Sequence, residues 1–149
     1  MVYRRLVLSC LTALAMMPSC GICQMTFTRH PLDTYFAYPF GVWVEDIDRD
    51  GDMDILGAGL ENDLVAWWRN DGCCPPVYTK LVIDNRIDGP TSVFATDVDG
   101  DLDVDILGAT WYGQEIVWWR NDGGDPIILT RQAIRSGFFF AHEVYAFVL

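Results

Sequence analysis

Short apolar runs alternate with polar turns along this chain from about residue 24 onward. The runs are rich in β-branched and aromatic side chains, as in Leu64–Trp68 and Ile116–Trp119. Runs of this kind predict β-strands, and no helical period is visible among them. Asp-rich loops, Asp88-Gly89-Pro90 and two Asn-Asp-Gly triplets separate the runs. Asn-Asp-Gly tolerates the positive φ of a tight antiparallel connection, so the pattern predicts an all-β fold.

The chain repeats with a period of 51 residues, the spacing between Asp46 and Asp97. The match extends backwards to Phe27–Arg29 and forwards to Val144–Ala146. The main matching blocks, without a gap, are residues 42–45, 54–58, 64–72 and 79–83 over residues 93–96, 105–109, 115–123 and 130–134. Each block predicts four strands. We therefore expect two four-stranded units over about residues 40–90 and 91–141, flanking strands, and a third repeat that stops early.

The Trp pairs predict how these strands pack. Trp67 and Trp68 are neighbours in a strand, so they point to opposite faces of the sheet. The strand is then apolar on both faces, which predicts a sheet covered on both sides. The alternative is an exposed aromatic pair that stacks on sugars, but large aromatic side chains are usually buried. Trp111-Tyr112 lies in a connection, and we expect this pair to be exposed.

Composition places the chain among globular proteins. It has 149 residues, of which 51% are hydrophobic and 13% aromatic, which indicates one domain with a real core. The formal net charge of −11 argues against a nucleic-acid partner, because phosphate contacts need Lys and Arg. Ten of the 21 acidic residues lie in two short loops, so the acidity is concentrated.

The first residues predict a signal peptide. Arg4 and Arg5 precede the apolar run Leu6–Met17, which is too short to span a bilayer, and Pro18 ends it. We place the cleavage near Cys23, so that residues 1–23 form the signal and residues 24–149 form the repeat region. The prediction is a secreted, cell-surface or periplasmic protein without a stable membrane span. A buried N-terminal helix and a lipid anchor at Cys20 are the alternatives.

The cysteines give no disulfide framework and no zinc spacing. Cys73 and Cys74 are adjacent, and neighbouring cysteines can close only a strained ring. A free pair and a vicinal disulfide both remain open.

The two acidic loops carry the candidate chemistry. Like charges this close repel one another unless a cation lies between them, and carboxylate oxygens suit Ca²⁺. The same alternation of five aspartates occurs twice, so we expect two calcium sites. The candidate metal residues are Asp46, Asp48, Asp50, Asp52 and Asp54 in the first loop and Asp97, Asp99, Asp101, Asp103 and Asp105 in the second.

These residues carry a resemblance to a known family. The pattern Asp-x-Asp-x-Asp-Gly-x-x-Asp, followed by Ile-Leu-Gly-Ala and by Trp-Trp-Arg-Asn-Asp-Gly, resembles the FG-GAP/VCBS repeats. These repeats are the calcium-binding blades of integrin-α-like β-propellers. The resemblance spans about residues 27–147 and implies a partial propeller of two four-stranded blades. A propeller needs four to eight blades, so we expect the missing blades to come from a longer gene product or from another chain. The alternative is that the two blades stand alone, with exposed edges that invite aggregation.

The loop positions predict distinct roles. The first, third, fifth and ninth residues supply carboxylates, the seventh supplies its backbone carbonyl (Asp52 and Asp103), and glycine at the sixth makes the sharp turn. Leu102 stands where Gly51 stands in the first loop. A positive φ at Leu102 would cost about 1 kcal/mol or more, and Gly100 does not obviously replace the missing glycine. We therefore expect the second site to be weaker or distorted.

Two other interpretations of the loops are weaker. An EF-hand needs a bidentate Glu at its twelfth position, where this chain has Gly57 and Gly108, and its loop is flanked by helices. A solvated acidic turn without an ion does not explain why the alternation occurs twice.

No catalytic signature is present in the sequence. His30 and His142 do not occupy equivalent places in the repeat, and neither belongs to a zinc-protease motif. There is no nucleophile elbow and no phosphate loop. We therefore expect a non-catalytic module for adhesion or for protein or glycan recognition, whose ligand the sequence does not name. The alternative is an accessory propeller domain of a larger secreted hydrolase or lyase.

Overall fold

The computed structural model describes residues 28–147, and its strands follow the predicted pattern. Within this part of the chain the ordered elements are all strands, which confirms the all-β prediction. None of the described residues forms a helix long and apolar enough to cross a membrane. The strands are β1 (Pro39–Glu45), β2 (Asp54–Gly59), β3 (Leu64–Asn70), β4 (Tyr78–Asp84), β5 (Pro90–Thr96), β6 (Asp105–Thr110), β7 (Glu115–Asn121) and β8 (Leu129–Ser136).

The strands form two antiparallel sheets of four. The first has the order β1-β2-β3-β4 and the second the order β5-β6-β7-β8, and we name them blade 1 and blade 2. The registers repeat as well, since Trp43 pairs with Leu56 in blade 1 and Phe94 with Leu107 in blade 2. The two sheets do not close into a ring within the described residues, so the fold is a partial β-propeller.

The glycine of each Ile-Leu-Gly-Ala stretch makes room for a tryptophan of the next strand. A Cβ on Gly57 would lie 2.7 Å from Cζ3 of Trp68, and one on Gly108 would lie 2.6 Å from Cζ3 of Trp119. The side-chain ring therefore rests directly on the neighbouring backbone. This contact explains why the same glycine recurs in both blades.

The main core lies between the two blades. Blade 1 contributes one face of its sheet, including Leu56 and Trp67, and blade 2 contributes the face that includes Val93 and Trp119. Trp67, Trp68 and Trp119 are each at most 5% exposed, which confirms that these tryptophans pack in the core. Trp118 is the equivalent of Trp67, yet it is only partly buried, because no described blade covers its face.

The expected flanking strands do not form in residues 28–38 and 137–147. The two segments nevertheless continue the repeating arrangement. Lys80 of β4 pairs with Asp33 at 2.7 Å, and Arg131, one period later, pairs with Asp84 at 3.0 Å. Residues around Asp33 therefore lie on blade 1 as residues around Asp84 lie on blade 2.

The same continuity exists at the other end of the described chain. The rings of Trp43 and Phe94 lie 4.6 Å apart, and the rings of Phe94 and Tyr145 lie 5.5 Å apart. These three aromatic residues are spaced by one period each. Tyr145 thus occupies the place of a first strand after blade 2, without the neighbouring strands that would give it a hydrogen-bonded ladder.

Two smaller predictions concern exposed residues. Tyr112 is 58% exposed, as expected, whereas Trp111 is half-buried against Phe140, whose ring lies 5.1 Å away. Cys73 and Cys74 are both free and exposed. The predicted signal peptide, residues 1–23, lies outside the described residues.

Candidate metal centres

The two acidic loops occupy equivalent places in the two blades. Residues 46–53 connect β1 to β2, and residues 97–104 connect β5 to β6. Each connection joins the first strand of a blade to the second. The loops therefore lie at the same end of their sheets, in the place that the sequence predicts.

The first loop brings three carboxylates together. One oxygen each of Asp46, Asp48 and Asp50 lies within 4.8 Å of the others. The loop is also held by its own carboxylates, because the Gly51 N–H donates to Asp46 Oδ2 at 3.1 Å and the Asp52 N–H donates to Asp50 Oδ1 at 2.9 Å. Three oxygens so close together form a group that could hold a cation.

The second loop has the same backbone path with a different group of carboxylates. Here one oxygen each of Asp97, Asp99 and Asp105 lies within 4.8 Å of the others. The Leu102 N–H donates to Asp97 Oδ2 at 2.9 Å, as the Gly51 N–H does to Asp46. Asp101, the equivalent of Asp50, accepts the Asp103 N–H at 2.9 Å and does not join the group.

Both loops contain two residues with positive φ, at the fourth and sixth positions. In the first loop these are Arg49, at +60°, and Gly51, at +96°. In the second they are Gly100, at +81°, and Leu102, at +78°. Each loop therefore has one glycine and one strained residue. Gly100 relieves in the second loop the cost that Arg49 bears in the first, so backbone strain gives no reason for a weaker second site.

The ninth aspartate of each loop is fully buried. Asp54 accepts the Ile47 N–H at 3.2 Å and the Asn70 N–H at 2.7 Å, one on each oxygen. Asp105 accepts the equivalent Val98 and Asn121 N–H groups at 3.0 and 2.7 Å. A carboxylate oxygen can accept more than one partner, so neither residue is excluded as a metal ligand.

Burial acts on the charge of these groups. It raises the pKa of Asp54 and of Asp105 above the ordinary value, and the backbone hydrogen bonds only partly oppose this effect. Burial also raises the pKa of Asp48, and the nearby Asp50 charge raises it further. A bound cation would favour the ionised form of all three carboxyl groups.

One carboxylate oxygen of the first loop has no protein partner. Asp46 Oδ1 is buried and has no hydrogen-bond partner among the described residues. A buried carboxylate oxygen without a partner is costly. The donor set is made only of carboxylate and backbone oxygens, which are the ligands of hard divalent cations such as Ca²⁺. The residues of the first loop therefore fit a metal ion.

Asp52 and Asp103, predicted to offer backbone carbonyls, have side chains beside the Asn-Asp-Gly turns. A Cβ on Gly72 would lie 2.5 Å from Asp52 Oδ2, and one on Gly123 would lie 3.0 Å from Asp103 Oδ2. Each turn therefore packs closely on the acidic loop of its own blade.

Asn70 and Asn121 are functional candidates that the sequence reasoning missed. The side-chain amide of Asn70 donates to the Met53 carbonyl at 3.2 Å, and that of Asn121 donates to the Val104 carbonyl at 3.2 Å. The available signal was the constant distance of 16 residues between the last aspartate of each loop and this Asn.

A cleft of about 650 Å³ lies between the blades beside the first loop. Asp48 and Asp50 of the first loop line it together with Gly124–Ile127, from the turn that follows β7. Trp67, Arg69 and apolar side chains of both blades complete its lining. The cleft therefore brings an acidic loop of blade 1 and a turn of blade 2 to one place.

Repeated four-stranded antiparallel sheets, each with an acidic loop between its first two strands, define a propeller-type repeat protein. The family model of the FG-GAP-like repeat matches residues 46–108, from the first acidic loop to β6. This part of the chain is therefore similar to an FG-GAP-like repeat, as its motifs indicate. No curated protein and no solved structure is similar enough to the chain to count as a match.

Proposed function

We propose that this protein is a secreted, non-catalytic calcium-binding repeat module that recognises a protein or a glycan. The calcium ions are structural: each would be held by an acidic loop and would stabilise the folded blade by binding it and not the unfolded chain. The observation that carries the proposal is the convergence of three carboxylates in each loop, one period apart.

Calcium is a better fit than magnesium. The loops offer several carboxylate oxygens, and Ca²⁺ accepts six to eight such ligands in variable geometry. Mg²⁺ demands a near-ideal octahedron and keeps several waters. Asp46, Asp48, Asp50 and Asp54 are the proposed side-chain ligands of the first site, with the Asp52 carbonyl. The equivalent set in the second site is Asp97, Asp99, Asp101 and Asp105, with the Asp103 carbonyl.

Secretion is part of the proposal because of the N-terminal sequence. The charged residues Arg4 and Arg5, the apolar run Leu6–Met17 and the break at Pro18 are typical of a signal peptide. Extracellular fluids are also rich in free calcium compared with the cytosol. Detection of the chain in the culture medium, with its new N-terminus near Cys23, would support this part of the proposal.

Recognition without catalysis is the role that the fold supports best. Propeller-type repeats of this family are generally non-catalytic modules, and such repeats typically mediate protein interactions. The two groups of converging carboxylates both lie in the acidic loops, where a bound cation would occupy them. The ligand would contact surfaces that the two blades present between them.

The decisive experiment is thermal unfolding with calcium, with magnesium and with a chelator. We expect calcium to raise the melting temperature by several degrees, since ligand at a hundred times its Kd adds about 2.7 kcal/mol of stability per site. Magnesium should add much less. Identical melting curves in calcium and in chelator would refute a structural role for calcium.

Substitution of single aspartates tests the assignment of ligands. We expect Asp50→Ala to remove more of the calcium-dependent stabilisation than Asp101→Ala, because Asp50 belongs to the group of converging carboxylates in its loop and Asp101 does not. The measurement is the difference in melting temperature between calcium and chelator for each variant. A larger loss for Asp101→Ala would contradict the geometry of the loops.

A further inference from the structure

The two Asn-Asp-Gly turns are built alike but have different neighbours. In both, a side-chain amide donates to the carbonyl at the eighth loop position, and the amide oxygen accepts the N–H of the glycine two residues later. For Asn70 the Gly72 N–H lies 3.2 Å away, and for Asn121 the Gly123 N–H lies 2.9 Å away. One asparagine thus fastens each acidic loop to the turn after the third strand of its blade.

The turn of blade 2 is a closed unit. The Asp122 N–H donates to the Ile128 carbonyl at 2.8 Å, and the Ile128 N–H donates to the Gly123 carbonyl at 3.2 Å. Asp122 also accepts from Arg120 Nε at 2.7 Å and from the Thr130 hydroxyl. A displacement at Asn121 would therefore move the whole turn and not a single residue.

The far side of this turn reaches blade 1. Gly124–Ile127 line the same cleft as Asp48 and Asp50. Ile127 and Leu129 also pack against the core between the blades. The equivalent turn of blade 1, which includes Cys73 and Cys74, is exposed and faces no described blade.

We propose that Asn70 and Asn121 are positioning residues for the metal loops, and that the turn held by Asn121 positions the first metal loop as well as its own. This inference rests on the proposed calcium function. Asn121 connects the loop of blade 2, through its own turn, to the cleft that Asp48 and Asp50 also line. Asn70 has no such connection, so the effect on the other blade runs through one turn only and a matched control exists in the same chain.

The experiment measures calcium binding at each loop separately in the full-length protein. The N–H groups of Gly51 and Leu102 each donate to a carboxylate of their own loop, so their amide signals in two-dimensional NMR report the two sites. For Asn70→Ala we expect about tenfold weaker calcium binding at the first loop, reported by the Gly51 signal, as for residues that orient metal ligands. Calcium binding at the second loop, reported by the Leu102 signal, should be unchanged. For Asn121→Ala we expect about tenfold weaker binding at Leu102, and about fivefold weaker binding at Gly51.

Leu107→Ala is the control for a merely structural effect. Leu107 is 3% exposed and lies on the face of blade 2 that points away from blade 1, so its loss should lower the melting temperature and leave both affinities unchanged. If Asn121→Ala does not fold, Gly123→Ala and Gly72→Ala replace the pair. Both glycines have positive φ and lie against the acidic loop of their own blade, and we expect the same asymmetry.

The outcomes separate the two proposals. Unchanged binding at Gly51 in Asn121→Ala, or in Gly123→Ala if that pair is used, would overturn the positioning of the first loop by the Asn121 turn. If calcium binds the second loop with the same affinity in Asn121→Ala and in Leu107→Ala, the positioning role of Asn121 is overturned. If added calcium shifts neither amide signal in the unmodified protein, the proposed calcium function itself fails.

Discussion

Single residues decide how an acidic loop can turn as sharply as these loops do. Two positions of each loop need positive φ, and the chain supplies one glycine per loop, at the sixth position in one and at the fourth in the other. Sequence comparison alone suggested that Leu102 weakens the second loop. The backbone angles show instead that the first loop also has a non-glycine residue at positive φ, Arg49.

This symmetry predicts the effect of placing glycine at the strained positions. We expect Arg49→Gly and Leu102→Gly each to raise the free energy of unfolding by up to about 1 kcal/mol, because the strain at positive φ exceeds the entropy that glycine costs. Leu102 is 66% exposed, so its replacement loses little packing. Urea unfolding in saturating calcium measures the effect.

The control is Met53→Gly, at an exposed loop position outside the positive-φ residues. It should lower stability, because glycine there only adds entropy to the unfolded chain. Stabilisation by Met53→Gly as large as that by Leu102→Gly would show that strain is not the cause.

The contact between glycine and tryptophan gives a second prediction at this scale. A Cβ on Gly57 or Gly108 would overlap the ring of Trp68 or Trp119, whose atoms lie within 2.7 and 2.6 Å. We expect Gly57→Ala and Gly108→Ala each to cost about 2 kcal/mol, as overpacking of a core usually does. Gly137→Ala, which meets no atom within 4 Å but has positive φ, should cost about 1 kcal/mol from strain alone.

At the scale of elements, the ion pairs show how the segments flanking the blades are held. Lys80 on β4 pairs with Asp33 in the leading segment, and Arg131 on β8 pairs with Asp84. The basic residue and the acidic residue are 47 positions apart in both pairs. The pairing thus follows the repeat, although residues 28–38 do not form a strand.

The Asp33–Lys80 pair predicts a pH dependence. The hydrogen bond from Lys80 and, to a smaller extent, the Tyr35 N–H lower the pKa of Asp33 below its ordinary value. A carboxyl group whose folded pKa is lowered stabilises the fold above its unfolded pKa, and this stability is lost as pH falls through the folded pKa.

We therefore expect Asp33→Asn to cost less than about 1 kcal/mol at neutral pH, since the pair is partly exposed. The difference from the unmodified protein should begin to shrink below about pH 4, near the unfolded pKa, and vanish only below the lowered pKa of the folded state. Chemical denaturation at a series of pH values measures it. Glu61→Gln, which removes an exposed carboxylate outside the ion pairs of the described residues, is the control for the loss of one negative charge.

At the scale of the whole molecule, neighbours decide which repeat positions are buried. Val42 and Val93 occupy equivalent positions one period apart, yet Val42 is 68% exposed and Val93 only 4%. Blade 1 covers Val93, and no described blade covers Val42. Equivalent positions therefore differ in energy, although their sequences and strand registers agree.

The difference in burial predicts that two equivalent tryptophans contribute unequally to stability. Trp67 lies between the blades and is 5% exposed, whereas Trp118, its equivalent, faces outward and is partly buried. We expect Trp67→Ala to cost about 3–5 kcal/mol, the usual loss for a buried tryptophan, and Trp118→Ala to cost clearly less. Equal losses in urea unfolding would mean that a further partner covers Trp118 in solution.

Much of this architecture was determined by the sequence itself. The period of 51 residues, the alternation of short apolar runs with turns, and the two groups of aspartates predicted two four-stranded blades and the position of both acidic loops. Such local patterns are sufficient because strand propensity, turn chemistry and side-chain alternation act over a few residues.

Only the tertiary structure decided which aspartates converge, that Asp46 Oδ1 has no partner, and that Asn121 links its loop to a turn beside blade 1. It also decided that the fourth and sixth positions of both loops have positive φ. These residues are Arg49 and Gly51 in the first loop and Gly100 and Leu102 in the second. The physical reason is that convergence, burial and strain depend on distances between segments far apart in the chain. A repeat pattern makes two loops look alike, whereas the neighbours of each blade make them different.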